Sequence, residues 1–135
     1  MPPNSLITST ILHSLISSRT VVKVINELGG IPVRSRVVHT YIKALMAETS
    51  AIFGGEHSGH FYFKDFWRAD SGALAALHAL AALGESEQTI SQLLAPFKRY
   101  VASGEVNSRV ADVAVVIEAI KEKYSALSEF KIDEL

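Results

Sequence analysis

Apolar and polar positions along this chain alternate between two periods. Residues 9–14 mix β-branched residues with Ser and Thr, which predicts a strand. Ser18 can cap a helix running to residue 28, with Val21, Val22, Ile25 and Leu28 on one stripe. Gly29 and Gly30 end it, and 31–37 alternates enough for a second strand. Val38, His39 and Thr40 read as a turn into a helix over 41–48. Two apolar runs, 51–53 and 61–63, read as strands on either side of Gly54-Gly55-Glu56-His57-Ser58-Gly59-His60. Asp70 or Ser71 caps a helix ending at Gly84, with Leu74, Leu77, Leu80 and Leu83 at helical spacing. A short helix is expected over 87–95, then a linker over 96–104. An edge strand over 105–110 follows, and Asp112 then caps an amphipathic helix reaching residue 126. Strands alternating with helices in this order predict an α/β fold: a partial mixed sheet with packed helices, followed by an α+β segment.

The loop between the two apolar runs carries the candidate chemistry. A carboxylate, a hydroxyl and two imidazoles fall within five residues, 56–60. With an extended backbone there, Glu56, Ser58 and His60 point to one side, because strand side chains alternate. That side offers acceptors and donors suited to the hydroxyls of a polyol. His57 and His60 then face opposite ways, and no cluster has metal-ligand spacing.

Composition narrows the class. The chain has 135 residues, of which 48% are hydrophobic and 20% charged, so one globular domain is the expectation. A net charge of -1 gives no electrostatic case for nucleic acid or an anionic membrane. There are no cysteines, hence no disulfide and no thiol nucleophile, which suits a cytoplasmic protein. No apolar run nears the length of about 18 residues that a bilayer-spanning helix needs.

Four segments occur in a telling order: Gly29-Gly30-Ile31-Pro32-Val33, His39-Thr40-Tyr41-Ile42-Lys43, Gly55-Glu56-His57-Ser58-Gly59-His60, and Phe66 through Gly72. In order and spacing they resemble the phosphohexomutases, the phosphomannomutase/phosphoglucomutase superfamily. The resemblance runs from about residue 9 to the end and is greatest to the later part of the third domain and the start of the fourth. It implies residues 1–95 as a partial sugar-recognition domain, 96–104 as linker, and 105–135 as the start of a C-terminal segment. Members of that superfamily move a phosphoryl group between hexose 6- and 1-positions through a phosphoserine. A magnesium ion on an Asp-rich loop and a hexose bisphosphate activator assist them.

Site residues follow from the same resemblance. Glu56 and Ser58 match the positions that bind the sugar's 3- and 4-hydroxyls. His60 matches a position suited to acid/base work, His39 one beside the phosphosugar, and Lys43 one that supports the cleft. Two departures stand out. Val38 replaces a glycine of the family's Thr-Gly-His segment, and Ile16 sits where a basic residue is common. Asp70 reads as a helix cap, and His78 as structural.

The chain contains no Asp-Gly-Asp motif and nothing like the phosphoserine loop. The expectation is therefore a piece of a mutase, a proteolytic product or a truncated reading frame, that binds hexose phosphate without turning it over. The rival readings are a stand-alone sugar-phosphate-binding or interaction module, and an inactive gene product. A partial sheet also predicts that the first strand or its neighbour lacks a partner, and that copies pair through that edge.

Overall fold

The computed structural model describes residues 9–36, 39–101, 104 and 106–125. It divides into two compact units, Met1–Val101 and Ala102–Leu135. In the first unit, β1 (Thr10–Ser14), β2 (Ile31–Ser35), β3 (Phe53–Gly55), β4 (Phe61–Phe63) and β5 (Ala69–Asp70) form one sheet in the order β2-β1-β3-β4-β5. The first three strands are parallel, and β4 and β5 join antiparallel. This is the mixed α/β sheet expected from the element order.

Helices α1 (Arg19–Glu27) and α2 (His39–Glu48) make the two crossovers. Ser18 does cap α1, its Oγ accepting from the Thr20 N–H at 3.2 Å. Ile25 of α1 and Phe53 of β3 line one cavity on one face of the sheet. On the other face, α2 presses Ile42 and Met46 against Leu12 and β3. Gly54 makes that approach possible: a Cβ there would stand 3.3 Å from Ile42 Cγ2 and 3.5 Å from Leu12 Cβ. Leu12, Ile42, Met46, Ala51 and Tyr62 form the buried cluster, with Val33 and Leu45 packed against it.

The same packing explains why the third strand lies two residues later than 51–53. Ala51 is wholly buried, and its N–H still closes on Met46 O at the end of α2. The strand then takes in Gly54 and Gly55, poor strand formers by propensity, because helix-to-sheet contact outweighs local preference. The second strand stops at Ser35, and residues 37 and 38 lie outside the described residues.

Along β2, Ile31 N–H and Ser35 O bond toward β1, so Pro32 and Arg34 turn their backbone outward. Proline's missing N–H therefore costs the ladder nothing, and it removes one donor from the open edge.

Helix α3 (Gly72–Gly84) is capped by Ser71, whose Oγ accepts from the Leu74 N–H at 3.1 Å. Asp70, the other candidate cap, belongs to β5, a two-residue strand too short to leave a sequence pattern. His78 stacks on Phe63, with ring centroids 5.5 Å apart. Val22 is half-buried, whereas Leu77 and Leu80 on α3 are exposed. Helix α4 (Ile90–Leu94) is shorter than 87–95, because a Thr89/Gln92 capping box fixes its start. A 3-10 turn, Ala95–Phe97, follows. Arg99 then grips Glu27 with two nitrogens, at 2.6 and 2.8 Å, tying this stretch to α1.

The second unit contributes α5 (Val113–Tyr124), capped by Asp112 through Val115 N–H at 3.2 Å. The edge strand expected over 105–110 is not formed among the described residues 106–110. No strand is described in this unit for it to pair with, and an isolated strand has no ladder to hold it. Among the described residues, the α+β expectation thus reduces here to a helix.

Candidate functional site

The parallel strands have their topological switch point at a predictable place. The β1-to-β2 crossover goes one way from β1, and the next returns past it to β3. The connections diverge at the carboxyl ends of β1 and β3, where open α/β sheets bind their ligands. Ser14 ends β1, Ser35 ends β2 and Glu56 follows β3, and all three are buried.

The hairpin from β3 to β4 is tighter than an extended loop. Glu56 N–H donates to His60 O at 2.9 Å, and Gly59 N–H donates to Glu56 O at 3.1 Å. Gly59 takes φ 88°, the left-handed position that closes a three-residue loop. The reading of Glu56, Ser58 and His60 as one extended face is therefore corrected. Glu56 and His60 do share a face, as opposite members of the hairpin. Ser58 sits exposed at the tip of the turn between them.

That face carries two further groups that the sequence reading passed over. Tyr62 lies two residues beyond His60 and is 1% exposed. Its hydroxyl donates to Glu56 Oε2 at 3.0 Å. Burial pushes the Tyr62 phenol well above its usual value, and the Glu56 carboxylate adds to the effect, so the group stays a donor. Glu56 is 7% exposed, a depth at which a carboxylate needs such a partner.

Asp70 stands opposite Tyr62 in the ladder. Its Oδ1 accepts from the Phe61 N–H at 2.9 Å, and its Oδ2 meets His60 Nδ1 at 2.6 Å. That hydrogen bond raises the His60 imidazole above its ordinary value, and the Asp70 and Glu56 charges act in the same direction. Ser14 Oγ accepts from the His57 N–H at 3.2 Å and lies 2.9 Å from Ser17 Oγ. A tyrosine sharing the parity of Glu56 and His60, inside an otherwise apolar run, was the legible signal for Tyr62.

Lys43 is exposed on α2, one turn after His39. His39 opens α2, and its side chain lies outside the described residues. His13 faces away from the hairpin site. It is buried, burial lowers its pKa, and its Nδ1 donates to Ser14 O at 3.1 Å. Ile16 is exposed in the turn after β1. Among the described residues, no group of three His, Cys, Asp or Glu side chains could hold a metal ion. The described residues therefore offer magnesium no cradle. None of the described helices is long and apolar enough to cross a membrane.

A cavity of about 350 Å³ opens on the opposite face of the sheet, lined by Val21, Ile25, Leu28, Phe53 and Phe97. Its walls are apolar and suit no polyol, so the polar hairpin is the better candidate site.

Fold and site together define an α/β/α domain with a polar β-hairpin at the carboxyl ends of its parallel strands. The chain belongs to the phosphoglucomutase/phosphomannomutase family, residues 3–100 matching its α/β/α domain III. It is 41% identical over 125 residues to a phosphomannomutase of Methanocaldococcus jannaschii, covering 93% of this chain and 27% of that protein. Against a phosphomannomutase of Escherichia coli K12 it is 34% identical over 116 residues, covering 85% and 25%. A solved phosphoglucomutase/phosphomannomutase family protein from Burkholderia thailandensis superposes with TM-score 0.64 at 28% identity, covering 74% of this chain and 24% of that one. The chain thus spans about a quarter of the length of the curated relatives it matches.

Proposed function

We propose that this chain supplies the sugar-recognition wall of a phosphohexomutase, one that interconverts hexose 6-phosphate and hexose 1-phosphate through a phosphoserine. The observation that carries the reading is the Glu56 carboxylate, buried at the switch point of the sheet and pinned through Oε2 by Tyr62. A carboxylate so fixed accepts hydrogen bonds from two neighbouring hydroxyls, and bonds to a charged acceptor are the stronger kind. Ser58 at the turn tip adds a hydroxyl that donates or accepts, and His60 adds an imidazole beside them. His39 and Lys43 are assigned to the phosphosugar side by resemblance alone.

Phosphoryl transfer rests on positioning and on stabilising charge. No residue of this chain is assigned to the transfer itself. The serine nucleophile and Asp-rich metal loop of such enzymes have no counterpart motif in these 135 residues. Binding without turnover is the expected behaviour.

The test is calorimetric titration of the 135-residue chain with mannose 1-phosphate and with glucose 1-phosphate. Weak binding that Glu56→Ala abolishes is the expected result. Binding indifferent to Glu56→Ala, or turnover that follows the chain through purification, would refute the reading.

A further inference from the structure

Helix α3 has the composition of a buried helix, yet none of its residues is buried. Between Gly72 and Gly84 it carries no Asp, Glu, Lys or Arg. Leu74, Ala75 and Leu83 are half-buried, while Ala73, Ala76, Leu77 and Leu80 are exposed. Those four share one outward face, at i, i+3, i+4 and i+7 spacing. A Cβ added at Gly72 or Gly84 would meet nothing within 4 Å, so both ends of the helix stand clear as well. A helix apolar on every side ordinarily lies in an interior.

A second exposed apolar element lies beside it. Phe63 ends β4, stacks on His78 and accepts the Phe66 and Arg68 N–H groups at 3.1 and 3.0 Å. The turn that follows Phe63 therefore stands next to the middle of α3. It holds Phe66 and Trp67 with ring centroids 5.1 Å apart, and Trp67 is 83% exposed. Trp67 and Arg68 take φ 53° and 52°, a left-handed conformation unfavourable for a bulky residue. The turn thus holds the chain's one tryptophan in solvent against backbone strain.

We propose that this patch, the outward face of α3 with Trp67, docks a second copy of the chain, α3 against α3 about a two-fold axis. The face complements itself. With the helices antiparallel and the axis between Ala76 and Leu77, Leu77 meets the partner's Ala76 and Leu80 meets the partner's Ala73. Each contact sets a large side chain against a small one. The area also suffices. Leu77, Leu80, Phe66 and Trp67 together expose on the order of 500 Å², so a pair covers about 1,000 Å², the lower bound of a specific interface and the range of a weak dimer.

Other occupants fit less well. The helix lacks the Lys and Arg residues that hold an amphipathic helix on an anionic bilayer, and its 13 residues are too few to span one. The sheet edges are a poorer route to pairing. Pro32 removes a donor from the β2 edge, and β5 has only two residues.

Because Trp67 is the only tryptophan, its emission reads the patch directly. Sedimentation velocity of the full chain, from low micromolar to near-millimolar, should show monomer passing to dimer, with the emission moving to the blue over the same range. Trp67→Gly suits the left-handed φ and removes the anchor, and Leu77→Lys with Leu80→Lys places like charges across the axis. Both changes should weaken dimerisation about tenfold or more and leave the circular dichroism of the dilute chain unaltered. A wild-type chain that stays monomeric throughout overturns the inference, even where a variant fails to fold. Emission of a solvated indole would then mean that nothing covers the patch, and blue emission at every dilution that another part of the same chain does. A blue shift of the monomer that only phosphatidylglycerol vesicles produce would assign the patch to a lipid surface instead. A dimer indifferent to both changes overturns the inference too, and places the contact on another surface.

Discussion

Tyr62 and Glu56 form a buried hydrogen-bonded pair, phenol to carboxylate at 3.0 Å, across the inner face of the hairpin. The pair joins the fold's core to its candidate site, because the Tyr62 ring belongs to the apolar cluster while its hydroxyl faces Glu56. Tyr62→Phe keeps the ring and deletes the donor. Leaving a buried carboxylate short of a partner costs about 1–3 kcal/mol. Urea unfolding should show that loss, and calorimetry should show weaker hexose phosphate binding in the variant.

Gly54 sets the distance between α2 and β3. An added Cβ would press on Ile42 Cγ2 at 3.3 Å, with Met46 Sδ at 3.7 Å. Gly54→Val therefore overpacks the cluster, at a cost of about 1–3 kcal/mol. A lowered thermal midpoint checks this. A variant as stable as wild type would mean that α2 can retreat freely.

Met46 and Leu77 look alike in sequence, as apolar residues within helices. Met46 is fully buried against the sheet, whereas Leu77 is 62% exposed on α3. Met46→Ala should cost about 2–5 kcal/mol, in line with other core truncations. Leu77→Ala should stay within about 0.5 kcal/mol, as exposed substitutions usually do. Denaturant midpoints measured side by side decide both.

Two histidines should pull stability in opposite directions with pH. Burial depresses His13, so folding disfavours its proton. Its contribution is complete above about pH 6.5, the unfolded value, and fades as pH falls through the lowered folded value. His60 is raised by Asp70. Its contribution is complete below about pH 6.5 and fades as pH rises through the raised value. His13→Gln should therefore flatten the acid limb of a stability–pH curve. Asp70→Asn should remove the His60 contribution on the other limb.

The strands and helices were legible where a local period existed. Thr10–Ser14, Arg19–Glu27 and Phe61–Phe63 fall close to their expected positions. The elements misplaced are those decided at a distance. Phe53–Gly55 owes its position to α2, and Asp70 becomes a strand residue only because β4 offers a partner. At the site, Glu56 and His60 could be named from the loop, yet their juxtaposition depends on a turn closed by Gly59. Reading Gly59 as the left-handed residue of a three-residue hairpin would have set Glu56 opposite His60. Tyr62 and Ser14 left little sequence signal of their roles, because their hydrogen-bond partners Glu56 and His57 lie across the hairpin or on another loop.

Ser14 has one more consequence. Its single oxygen takes the His57 N–H and touches Ser17 Oγ, stitching the β1–α1 turn to the hairpin lip. Two surface loops that would otherwise wander independently are held as one body before any ligand arrives. Their conformational entropy is lost during folding, not at the moment of binding. On the sugar-recognition reading proposed above, a hexose approaching Glu56 meets a rim already in place, and little of the contact energy is consumed in ordering it.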